Sequence, residues 1–286
     1  MSILSTRKSG PSSNGQRIVI AGVEKIGKTT LACDAPNVIL VPLEQGFAAQ
    51  TCERVDQLYY WEHVAQLCQE LIAGAQEGSI PRGTTLVWDS ATALGRMVDD
   101  YTIRTDPGYR EGNPSKITLN TAHGGYGKGV QVGKGTFAQW LNYLDQLSMY
   151  GINSVITAHV FAADVVDPAY GNYQTWDIRL HSPKNQKETG MREHLTEWAD
   201  MIGFLHEPVF VQKTERGKGD QKETVLAQGI SRGQGRVLEV ERTPAWIAGN
   251  RYNLQGSVAI PLEGGWNYLA QAIYESTKGN VDIFRR

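Results

Sequence analysis

Residues 18 to 30 read Ile-Val-Ile-Ala-Gly-Val-Glu-Lys-Ile-Gly-Lys-Thr-Thr, a spacing of residue types suited to holding phosphate. Gly22, Val23, Glu24, Lys25, Ile26, Gly27, Lys28 and Thr29 match G-x-x-x-x-G-K-[ST], and Thr30 follows directly. In that pattern the glycines let backbone N–H groups close around phosphate oxygens, and the next helix turns its positive end toward the charge. Lys28 is then expected on the β and γ phosphates, and the Thr29 hydroxyl on Mg²⁺. An apolar strand precedes the pattern and a helix follows it, which is the context it requires. A chance Gly-Lys turn is the alternative.

A metal at such a site needs a second acid, usually at the end of a neighbouring strand, and Thr84-Thr-Leu-Val-Trp-Asp89-Ser90 supplies Asp89. Asp89 would serve equally as N-cap of a helix over 91–103, a task open to Ser90 as well. Hydrolysis further needs a group to orient or deprotonate water. Glu44 closes the apolar run Val38-Ile-Leu-Val-Pro-Leu43, and its spacing fits that task or a solvated turn carboxylate.

The elements that must position these residues are legible as short apolar runs at 17–21, 38–43, 84–88 and 153–158 with helical periodicity between them. This alternation predicts an α/β fold, a mainly parallel sheet flanked by helices. The clearest helix is expected over 137–149, with Phe137, Trp140, Leu141, Leu144 and Leu147 on one face, Thr136 and Gln139 as a capping box and Gly151 past its end. A second is expected over 61–75, where Cys68 joins the apolar stripe as a small buried hydrophobe. Two stretches, 102–135 and 161–192, read as long irregular loops, the first rich in glycine. A β-hairpin is expected at about 208–228, then a β-rich portion over 230–265 and a helix near 266–276.

The 286 residues, 41% hydrophobic, suffice for one α/β domain with additions. The 28 basic against 30 acidic residues advertise no polyanion partner, so any nucleic-acid site must be local. Three cysteines without Cys-x-x-Cys spacing suggest neither a disulfide framework nor a zinc site, and fit a reducing cytoplasm. No run approaches the length of a membrane span. The organisation expected is an N-terminal disordered arm over 1–16, one domain over 17–275 and a tail over 276–286.

The order of motifs, from the P-loop through the strands ending in Glu44 and in Asp89-Ser90 to Ser154-Val-Ile-Thr-Ala-His159, resembles that of the RecA-like ATPases. Within them it is most similar to phage-encoded AAA-type nucleotide-binding proteins grouped with single-strand annealing recombination proteins. The likeness implies ATP and Mg²⁺ as cofactors, Glu44 as the catalytic glutamate and His159 as a polar residue sensing the γ-phosphate, acting with Lys28. A histidine hydrogen-bonded at a strand end is the other account of His159. No Asn-Lys-x-Asp run of the guanine-reading kind occurs, in keeping with adenine. Ala199-Asp-Met-Ile-Gly203 and Ala248-Gly-Asn-Arg251-Tyr resemble the family's late strand and closing basic motif. Gly249 stands where that motif usually carries lysine, which leaves Arg251 as the cation to reach a neighbour's ATP, or as a surface arginine held by a local acid.

RecA-like proteins bind DNA through two loops placed where this chain has its two irregular stretches. Residues 113–136 carry Lys116, Lys128 and Lys134 with Tyr126 and no acid, able to track phosphates and stack one base. Residues 179–192 add Arg179, Lys184, Lys187 and Arg192 against Glu188. Solvated mobile loops would look the same. The likeness thus implies single-stranded DNA as partner, a homo-oligomer with ATP at subunit junctions, phage replication or recombination proteins as further partners, and the host cytoplasm. Two other classes remain open: a nucleotide-switched loader or partner-binding ATPase, and a small-molecule kinase, whose lid would fall to Arg104 and Arg110.

Overall fold

The computed structural model describes residues 7, 10, 12–110, 116–183, 188–216, 223–231 and 235–283. In chain order the elements begin with β1 (Arg17–Gly22), α1 (Lys28–Cys33), β2 (Val38–Pro42), β3 (Glu53–Arg54), α2 (Trp61–Glu77), β4 (Thr85–Asp89), α3 (Ala91–Arg104) and α4 (Pro107–Arg110). There follow α5 (Lys128–Met149), β5 (Asn153–Asp167), β6 (Gly171–Ile178), α6 (Met191–Trp198), β7 (Met201–His206), β8 (Val209–Arg216) and β9 (Glu223–Ser231). The described chain closes with β10 (Arg236–Glu239), β11 (Gly249–Asn250), β12 (Ser257–Ile260) and α7 (Gly265–Ser276).

One sheet runs β12-β10-β7-β1-β5-β4-β2-β3, with β11 also on β7 and β6 on β5. From β7 to β3 every pairing is parallel, while β10 and β12 close the other edge antiparallel. The four apolar runs foreseen are the central strands, and their continuity in sequence has a direct cause. Val19, Ala21, Leu86, Trp88 and Ile156 pack into the core on one face, with α2, α3, α5 and α6. Ile18, Ile20, Leu40, Val87 and Val155 pack on the other, against α1 and α7. A strand covered on both sides has no polar face to show.

The predicted irregular stretches are largely regular. The helix expected from 137 begins at Lys128, and Thr136, foreseen as its cap, donates from Oγ1 to Val132 O inside it. Two of the glycines that suggested a mobile loop serve close packing. A Cβ on Gly129 would lie 2.2 Å from Leu119 O, and one on Gly133 would press on Thr102, Met191 and Val98 at 3.3 to 3.7 Å. The strand expected to end at 158 continues to Asp167 and returns as β6, so 161–178 is an antiparallel ribbon.

The ends of the domain also differ from expectation. Within the expected arm, Gly15 exchanges hydrogen bonds of 2.8 Å with the Ser148 carbonyl and hydroxyl, and Gln16 N donates to Asn153 Oδ1 at 2.9 Å. Within the expected tail, Ile283 is buried in the second core. The foreseen hairpin forms as β8 and β9, with the turn at 217–222 outside the described residues. Of the β-rich portion that follows, β10, β11 and β12 complete the main sheet.

Candidate active site

The loop after β1 requires glycine at both ends. A Cβ on Gly22 would sit 2.6 Å from Leu205 O, and one on Gly27, whose φ is +90°, would sit 2.1 Å from Arg236 Nη1. Gly27 caps α1 without any side-chain hydrogen bond to the helix, as a helix start meant for an external anion should be. Lys28 is buried, and its Nζ donates to Gly22 O at 3.0 Å and Val23 O at 2.8 Å. Burial lowers the pKa of this ammonium, with Asp89, Glu24 and Glu44 working in the opposite direction.

Asp89 is buried at the end of β4, accepting from Thr29 Oγ1 at 2.8 Å and from Thr157 Oγ1. It does not end the strand next to β1, as expected, but the next but one: β5 lies between them, and its Thr157 fills the gap. Ser90 caps α3 by accepting from Ala93 N at 3.2 Å, so the carboxylate is not consumed as a helix cap. Thr29 and Asp89 form an all-oxygen pair of the kind Mg²⁺ favours, leaving most of its coordination sphere to water and phosphate.

Glu44 follows β2 and reaches across β4 to β5. Its Oε1 lies 2.8 Å from His159 Nε2 and its Oε2 3.3 Å from Arg96 Nη2. Burial opposes ionisation of this carboxyl, but hydrogen bonds from His159 and Ser90 and the charge of Arg96 outweigh it and hold the pKa below its ordinary value. His159 Nδ1 faces Lys28 Nζ at 3.4 Å. A lysine ammonium can only donate and a carboxylate can only accept, so the imidazole fits as the neutral Nε2–H tautomer. Lys28, His159 and Glu44 thus form one line of hydrogen bonds. A cleft of 410 Å³ opens beside it, with Glu24, Lys28, Thr29, Glu44, Asp89 and His159 among its lining residues.

The other foreseen residues fall in several places. Lys116, Tyr126 and Lys128 are exposed around the start of α5, and Lys134 is half-buried on that helix. Arg179 stands at the phosphate loop, with Nη1 3.3 Å from Glu24 Oε1. Arg192 is bound to Asp177 and Glu193. Lys184 and Lys187 lie outside the described residues. Arg251 pairs with Asp200 at 3.1 Å, beside Arg17 and the first residues of β1 and β7. Its own phosphate loop leaves the far end of β1, five residues or about 17 Å along the strand. Arg104 is held by Glu62 and Asp100 at 2.6 to 3.1 Å, which takes it out of use as a lid.

Sequence reasoning missed Arg236. Its side chain crosses behind the loop, donating from Nη1 to Gly27 O at 2.9 Å and from Nη2 to Pro261 O at 2.8 Å. Burial lowers its pKa, and Asp34 opposes that shift. Its sequence context, the first residue of the short strand Arg-Val-Leu-Glu, carries no motif that would have found it.

Among the described residues no helix is long and apolar enough to cross a membrane. A family profile described as AAA domain matches residues 14–252. No curated protein matches the chain.

Proposed function

The chain belongs to the AAA domain family, and from that premise we propose that it is a Mg²⁺-dependent ATP hydrolase that acts on single-stranded DNA in phage recombination or replication. The observation that carries hydrolysis is the line Lys28–His159–Glu44 meeting the Thr29–Asp89 pair in one cleft. Backbone N–H groups of the loop and Lys28 hold the β and γ phosphates. Mg²⁺ at Thr29 and Asp89 supplies charge neutralisation of those phosphates. Glu44, kept ionised by His159 and Arg96, accepts a proton from water as its oxygen bonds to the γ phosphorus, while the bond to the β–γ bridging oxygen breaks and ADP leaves with the electron pair. His159 couples the two ends, because a change in the Lys28 contact on one nitrogen alters the orientation of Glu44 on the other.

Support for DNA comes from the exposed group Lys116, Tyr126 and Lys128, which joins two cations and a fully exposed ring without an acid in the segment. A homo-oligomer with nucleotide at its junctions would draw Arg251 from Asp200 and Glu197 to a neighbouring copy's ATP, because its own loop is out of reach. The engagement of Arg192 with Asp177 and Glu193 within the chain favours the second reading, an ATP-switched partner binder without DNA contact.

The test is phosphate release by the protein and by Lys28→Ala, with and without single-stranded DNA at two salt concentrations. Hydrolysis that requires Lys28, rises with DNA and loses that rise on charge reversal of Lys128 and Lys134 supports the first reading. Hydrolysis that requires Lys28 but ignores DNA selects the second.

A further inference from the structure

Arg179 was foreseen as a cation of a DNA-binding loop, yet its backbone and one guanidinium nitrogen are held by His159 and Glu24 of the phosphate site. Its backbone N–H donates to His159 O at 2.8 Å, directly across the β5–β6 ladder from the residue that links Lys28 to Glu44. Its Nη2 donates to Val160 O at 3.2 Å, and its Nη1 lies 3.3 Å from Glu24 Oε1. Glu24 is the third residue of the phosphate loop, and its Oε1 also stands 4.0 Å from His159 Nδ1. The main chain of Arg179 is therefore anchored, while the end of its side chain rests on a carboxylate at the rim of the cleft.

Charge and cost both favour exchange of that carboxylate. Glu24, Glu44 and Asp89 line the cleft, against Lys25, Lys28 and the neutral His159, so a triphosphate enters a site short of positive charge. The side chains of Arg179 and Glu24 are each 54% exposed, and an ion pair that open to water contributes only about 0–1 kcal/mol. A phosphate oxygen offers the guanidinium a stronger, bidentate partner. We propose that Arg179 binds the terminal phosphate of the bound nucleoside triphosphate within the same chain, and that Glu24 holds its guanidinium at the cleft until that phosphate replaces the carboxylate. Arg179 adds positive charge where the γ-phosphoryl group transfers to water. This rests on the ATP hydrolase reading and adds to it a phosphate-binding residue outside the loop motif.

The experiment compares the protein with Arg179→Ala, Arg179→Lys and Glu24→Gln, measuring single-turnover ATP hydrolysis and the affinities of fluorescent ADP and ATPγS. Arg179→Ala is expected to slow hydrolysis by about 10³-fold, the low side of what such arginines contribute. It should weaken ATPγS binding about tenfold and leave ADP binding within about twofold, which also shows that the site is folded. Lysine should restore less than about a tenth of the rate, because it lacks the planar fork. Glu24→Gln should tighten ATPγS two- to fivefold by about the worth of the exposed pair. Hydrolysis within threefold of the parent in Arg179→Ala, equal losses for ADP and ATPγS, or unchanged ATPγS affinity in Glu24→Gln would each overturn the assignment. If the parent protein itself shows no Lys28-dependent hydrolysis, the enzymatic reading fails, and the contrast between ADP and ATPγS still decides Arg179.

Discussion

Glu44 Oε1 and His159 Nε2 are joined at 2.8 Å although 115 residues separate them in the chain. Their strands are not neighbours: β4 stands between β2 and β5, so the contact spans two strand spacings, about 10 Å. Both residues lie past the last pairs that β4 makes with β2 and β5, Pro42–Asp89 and Trp88–Ile156, so no strand stands between their side chains there.

Replacing Glu44 by Gln keeps the size and one acceptor but removes the base. Hydrolysis should fall by about 10²–10⁴-fold, with ATP affinity changed less than about threefold. Single-turnover rates beside equilibrium binding check this, and a matched loss of affinity would remove Glu44 from the chemical step.

The same carboxyl titrates below its ordinary value of 4.5, with His159 the leading cause of the lowering. A lowered pKa keeps the basic form down to more acid pH, so the acid limb of kcat/KM should lie below pH 4.5. His159→Ala should move that limb upward. Its stabilising contribution has the same sign, present above the unfolded value and lost as pH falls through the folded one.

Asp89→Asn retains a partner for Thr29 and Thr157 but removes the charge that the metal needs. The Mg²⁺ concentration for half-maximal hydrolysis should rise at least ~10-fold, the usual effect of weakening one ligand or its support. An unchanged metal titration would place the metal elsewhere.

Two glycines of α5 should respond with opposite sign. Gly129→Ala forces a methyl to within 2.2 Å of Leu119 O and should cost about 1–3 kcal/mol. Gly135 is exposed with nothing within 4 Å of a built Cβ, so Gly135→Ala should stabilise the helix by about 0.5–1 kcal/mol. Urea unfolding of both variants distinguishes packing glycines from a merely flexible segment.

On α3, burial raises the Asp99 carboxyl from 3.8 to about 6, and its Oδ1 is buried without a hydrogen-bond partner. A folded pKa above the unfolded one means that stability falls as pH rises from 3.8 through about 6. Asp99→Asn should therefore stabilise at pH 7.5 by on the order of 1–2 kcal/mol. Thermal unfolding should show that gain fade toward pH 4.

The phosphate loop, the placing of Asp89 beside it and the strands that carry them were legible because each is encoded within about ten consecutive residues. The fold class followed from apolar runs with no polar face. The rest depended on partners distant in the chain. Nothing in a Gly-rich segment distinguishes glycines that let α3, α5 and α6 meet from glycines that loosen a loop. The continuation of β5 to Asp167 was hidden because Phe161-Ala-Ala-Asp-Val-Val-Asp167 shows no regular alternation of apolar and polar residues to mark a strand. Arg179 read as a loop cation because its acid, Glu24, lies 155 positions earlier in the numbering. Insertion of β5 between β1 and β4, which sets Thr157 against Asp89, is a fact of topology that local periodicity does not encode.

Arg236 gives the protein an order in time as well as in space. The phosphate loop leaves a ribosome well before the guanidinium that holds its Gly27 carbonyl, which comes 209 residues later. A nascent chain that has emerged only through β9 has the complete loop motif but lacks the Arg236 contact behind it. Support of the loop by this contact is thus acquired only once Arg236 has emerged, and products terminated before it should hold ATP more weakly.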